Sequence, residues 1–96
     1  MRPSDPQQDP VVRELRGRIT EADRAILAAV NERIELVREL REHKRANGFG
    51  FLDPGREERL LQALADENLG PLSEGGLREL FGDLLALTKR ELAEPS

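Results

Sequence analysis

The chain has 96 residues, no cysteine and one histidine, with 35% charged and 3% aromatic residues and a formal net charge of −4. Those numbers allow one small domain and exclude a disulfide framework, a thiolate metal site and a histidine-based zinc site or triad. They argue against a nucleic-acid binder, which is usually basic and offers aromatic stacking groups.

Residues 1–8 are polar and rich in proline and are expected to be a disordered tail, not a signal peptide. Asp9-Pro10 then predicts a helix start, with Asp as N-cap and Pro in the first helical position. From there to about Ala46 apolar or small residues recur in steps of three and four, at Val12, Leu15, Ile19, Ala22, Ile26, Ala29, Val30, Val37 and Leu40. That spacing predicts one long amphipathic helix. Asn47-Gly48 stops it, and Phe49-Gly50-Phe51-Leu52 reads as a short apolar loop.

Asp53-Pro54 repeats the start signal, with Asp53 as the expected N-cap of a second helix that turns Leu60, Leu61 and Leu64 inward. That helix is expected to end near Asn68–Gly70. Ser73 caps a third helix, whose stripe is Leu77, Leu80, Phe81, Leu84, Leu85, Thr88 and Leu92. No strand pattern, internal repeat or membrane span is visible. The fold class is all-α, with three helices per chain and one domain over 9–96.

The first helix would be roughly 54 Å long. A compact monomer of this size has a diameter of only roughly 30 Å. The length therefore predicts an intertwined helical homodimer, although a plain antiparallel coiled coil would also suit it.

The first helix's stripe is interrupted by cations. Position 33 calls for an apolar residue and holds Arg33; position 44 does the same and holds Lys44. The two share one face with Cα atoms roughly 16 Å apart, so they could grip opposite ends of a small dianion. Periodicity alone favours the plainer reading, in which both stems lie on apolar surface and the charges snorkel into water. Arg16 lies roughly 25 Å from Arg33 along the helix and could join such a site only across an antiparallel dimer. Arg56 is unusual in a first helical turn, where the dipole disfavours cations and a nearby anion would offset the cost. Glu57 suits the dipole with or without a ligand. Thr88 has a plain reading too, a bond back to the Leu84 carbonyl. His43 reads as a surface residue.

No glycine-rich phosphate loop and no nucleophile–base pair stands out. An enzyme built from these residues would work by positioning and electrostatics.

The ordered set Leu15-Arg16-Gly17-Arg18-Ile19, Asp23, Glu32-Arg33, Glu35-Leu36, Lys44 and Asp53-Pro54-Gly55-Arg56-Glu57 resembles the all-helical chorismate mutases over roughly residues 12–92. The resemblance implies an interlocked homodimer with two active sites. It implies conversion of chorismate to prephenate on the way to phenylalanine and tyrosine, without a cofactor; the absence of cysteine suits a reducing cytoplasm. Arg16 would reach the partner's site and hold one substrate carboxylate, and Arg33 the other. Lys44 would donate to the ether oxygen and a carboxylate. Asp53, through its backbone, and Glu57, through its side chain, would receive the substrate hydroxyl. Arg56 would add positive potential, and Thr88 would stand where the family often has a small hydroxyl residue. Leu92 departs from the pattern: the family usually has Gln or Glu there as a second donor to the ether oxygen.

Gly70-Pro71-Leu72 also resembles mutase domains linked to 3-deoxy-7-phosphoheptulonate synthase, so association with that enzyme is a further expectation. The rival readings are a chorismate- or prephenate-sensing domain, motivated by Leu92, and an isochorismate-pyruvate lyase.

Overall fold

A computed structural model describes residues 5–50 and 52–93. Residues 1–4 of the expected tail, Phe51 of the apolar loop and residues 94–96 of the expected domain lie outside these. The elements in order are a 3-10 turn at Pro6–Gln8, α1 at Pro10–Ala46, α2 at Arg56–Glu67 and α3 at Glu74–Glu91. There is no strand among the described residues, and the chain is all-α as the sequence predicts. The chain divides between Arg33 and Ile34 into two compact units.

In the first unit, residues 6–8 depart from the expected disorder. The Asp5 side chain accepts from the Gln7 N–H at 2.9 Å and caps the turn, with Pro6 preset for it. Asp9 caps α1 as predicted, its Oδ1 accepting from Val11 N at 2.9 Å and Val12 N at 3.0 Å. Of the apolar stripe, Val12 and Val30 are half-buried. Leu15, Ile19, Ile26 and Leu27 are exposed, Ile19 and Ile26 by 60% each. Helix propensity and local pairs such as Arg24–Glu21 maintain this segment, since tertiary burial contributes little to it.

In the second unit, α1 closes over Asn47-Gly48. The Phe49 N–H donates to Lys44 O at 2.8 Å and Gly48 N–H to Arg45 O at 3.3 Å, with Gly48 at φ 68°. These bonds satisfy the terminal carbonyls, and the left-handed conformation they need favours glycine. The His43 ring is exposed and lies 6.0 Å from the Phe49 ring.

α2 differs from expectation at its start. The N-cap is Gly55, at φ 83° and without a side-chain cap, not Asp53. Pro54-Gly55 turns the chain first, so the helix begins at Arg56 and Asp53 is left too far upstream to cap it. Asp53 instead receives Arg59, Nη2 to Oδ1 at 3.0 Å. Asn68 ends α2 and donates through its side chain to Leu72 O at 2.8 Å, framing the cis Gly70-Pro71 peptide before α3.

Ser73 caps α3 as predicted, accepting from Gly76 N at 3.0 Å. α2 and α3 pack together. Leu60, Leu61 and Leu64 of α2 and Phe81, Leu84 and Leu85 of α3 are half-buried, and Leu77 is the one buried apolar residue among the described residues, at 4% exposure. Arg78 joins the two helices, bonding Glu58 Oε1 at 2.9 Å and Gln62 Oε1 at 3.3 Å. The hydrogen bond and charge of Glu58 raise the Arg78 pKa above the ordinary arginine value. No helix among the described residues is long and apolar enough to cross a membrane.

Candidate functional site

The first unit carries Arg16 and Arg33. Arg16 is exposed on α1 and donates to the side chain of Gln7. The 3-10 turn is what brings Gln7 back over the helix. Arg33 is half-buried at the unit's end.

The second unit carries the other six predicted residues. Lys44 is half-buried in the last turn of α1, with its own carbonyl held by the closing bond from Phe49. Its ammonium has no ion-pair partner among the described residues. A cation near a helix C-terminus is favoured by the dipole, which offsets part of the cost of partial burial.

Asp53, Arg56 and Glu57 stand around the start of α2. The Asp53 carbonyl accepts from Arg56 N at 3.1 Å, while its carboxylate is engaged by Arg59. Arg56 is exposed in the first turn, where the dipole opposes it, and has no carboxylate partner among the described residues. Glu57 faces α3: its Oε1 lies 2.7 Å from Lys89 Nζ. That pair draws the first turn of α2 to the last turn of α3, next to Thr88.

Thr88 is buried at 5% exposure, and its hydroxyl donates to Leu84 O at 2.8 Å, the back-bond its position in the helix suggests. Leu92 ends α3 as its C-cap, its N–H donating to Thr88 O at 3.1 Å. Its side chain cannot donate a hydrogen bond, but its carbonyl accepts from Arg41 Nη1 at 3.2 Å.

Arg41, Lys89 and Arg59 were not singled out by the sequence. Arg41 carries a readable signal, a cation one turn before Lys44. Lys89 carries none, because its meeting with Glu57 depends on how α2 and α3 pack. In the second unit Arg41 and Lys44 stand in the last turns of α1, Asp53, Arg56 and Glu57 stand around the start of α2, and Lys89 of α3 pairs with Glu57. Among the described residues no group of three or more His, Asp or Glu side chains could hold a metal. What the arrangement offers is N–H donors for an anion and a carboxylate acceptor.

The sequence model of the family described as chorismate mutase type II matches residues 15–92. No curated protein matches the chain.

Proposed function

From the premise that the chain belongs to the chorismate mutase type II family, an isomerase family, we propose that it rearranges chorismate to prephenate in aromatic amino acid biosynthesis, using residues of 9–96. The observation that carries the reading is Lys44, a half-buried ammonium without a carboxylate partner among the described residues, which an anionic substrate would satisfy.

The reaction is a unimolecular Claisen rearrangement. One C–O bond breaks as one C–C bond forms within the same molecule, and no proton, nucleophile or cofactor takes part. The flexible enolpyruvyl ether must be held in a chair-like reactive shape. Arg33 and Arg16 clamp the two carboxylates and hold that conformer. Lys44 donates to the ether oxygen, where negative charge grows as the bond breaks, so its contact strengthens in the transition state. Glu57 and the Asp53 backbone receive the ring hydroxyl. Arg56 adds positive potential, and Thr88 shapes the wall.

The site is completed in a homodimer, Arg16 coming from the partner chain. The exposed Leu15, Ile19, Ile26 and Leu27 support this, since a helix face of that apolarity calls for cover. The protein acts in the cytoplasm, in association with 3-deoxy-7-phosphoheptulonate synthase. The resemblance around Gly70-Pro71-Leu72 supports that last partner.

A second reading, a chorismate- or prephenate-sensing domain, draws on Leu92, whose side chain offers no donor. Adding purified protein to chorismate separates the two. Loss of chorismate absorbance with prephenate as product supports the mutase. Tight prephenate binding without turnover supports the sensor. Release of pyruvate from isochorismate would instead identify a lyase.

A further inference from the structure

We infer that Arg41 is a substrate-binding residue of this site, supplying beside Lys44 the N–H donor that the Leu92 side chain lacks. The inference rests on the chorismate reading above and concerns which groups hold the substrate's ether end.

Arg41 and Lys44 are three residues apart on α1, so their side chains are neighbours, with a rise of about 4.5 Å between them. Both are half-buried. Neither pairs with a carboxylate among the described residues, whereas Arg24, Arg38, Arg59 and Arg78 all do. Two like charges one turn apart, partly shielded from water and without a counter-ion, repel each other. A bound anion removes that repulsion.

The Arg41 head is also fixed in place. One Nη1–H donates to the Leu92 carbonyl at 3.2 Å, at the C-terminal end of α3, where the dipole favours a cation. A guanidinium has five N–H donors in a planar fork, so this anchor leaves others to point elsewhere. Position 92 is where the resemblance places a donor. Here the Leu92 carbonyl brings that donor from α1. As the C–O bond breaks, the charge on the ether oxygen is then met by Lys44 and Arg41 together.

The competing role is structural: Arg41 could do no more than cap α3. The full-length protein and its Arg41→Ala, Arg41→Met and Arg41→Ala/Leu92→Gln variants distinguish the two, by kcat and KM for chorismate with circular dichroism alongside. Arg41→Met keeps much of the stem and removes the donors. Both single variants should fold and lose about 100-fold in kcat, with a much smaller change in KM. Leu92→Gln, which offers an amide N–H from α3, should restore at least a tenth of the lost rate. The inference is overturned by kcat within twofold of the parent in either single variant. It is equally overturned by a loss that Leu92→Gln does not recover, or by the failure of both single variants to fold. If the parent itself does not turn over, the proposed function fails, and Arg41 is judged by chorismate binding alone. Arg41→Met must then weaken that binding at least tenfold, and unchanged affinity overturns the inference.

Discussion

Lys89 Nζ lies 2.7 Å from Glu57 Oε1, so the last turn of α3 is tied to the first turn of α2 through the carboxylate assigned to the substrate hydroxyl. Both side chains are more than half exposed, 63% for Lys89 and 51% for Glu57, so the pair contributes little to stability. Its effect is on orientation. Lys89→Ala is expected to change unfolding free energy by less than about 1 kcal/mol. It should raise KM for chorismate severalfold, because Glu57 loses the partner that aims it. Steady-state kinetics beside a denaturant titration check this.

Under the proposed function Arg16 and Arg33 hold different carboxylates and, in the proposed homodimer, come from different chains of one site. Each single alanine variant should lose activity by at least about 100-fold while keeping its helical dichroism. Mixing the two inactive proteins under conditions of subunit exchange should restore activity, since one of the two hybrid sites regains both arginines. Recovery measured against mixing ratio checks this, and no recovery at any ratio contradicts the shared site.

Ile26 is 60% exposed on the chain and lies on the face that the proposed homodimer would cover. Full burial of an isoleucine contributes about 1.5–3 kcal/mol, and a lysine there would place a charge in an apolar seam. Ile26→Lys should therefore weaken association by more than tenfold. Sedimentation over a concentration series reads the change.

Gly55 holds φ 83° at the start of α2, a left-handed conformation that side chains resist, and an added Cβ would meet Arg59 Nη1 at 3.1 Å. Gly55→Ala should cost about 1–2 kcal/mol, chiefly through the backbone, since the arginine end can move. It should also disturb the Asp53–Arg59 pair and the placement of Arg56 and Glu57. Thermal denaturation and KM would move together.

The parts of the structure legible in sequence are the local ones. Asp9 and Ser73 cap because a side-chain oxygen two or three residues before a free N–H needs no tertiary help. Gly48 stops α1 for an equally local reason, and Thr88 bonds back to Leu84 within its own helix. Asp53 misleads because Pro54-Gly55 spends two residues on a turn before α2 begins, turning a cap signal into an ion pair with Arg59. Lys89 at Glu57 and Arg41 at the Leu92 carbonyl could not be read, because each needs the end of α3 placed against another helix. The resemblance supplied the remaining step, from a stripe interrupted by cations to a named dianion, which periodicity could not supply.

The central claim is tested most directly by the rate of prephenate formation from chorismate, measured side by side for the parent protein and Lys44→Ala. The account predicts stoichiometric conversion by the parent, well above the uncatalysed rate. It predicts a loss of about 100- to 1000-fold in the variant, with helical dichroism unchanged. A parent rate no greater than that of Lys44→Ala would contradict it.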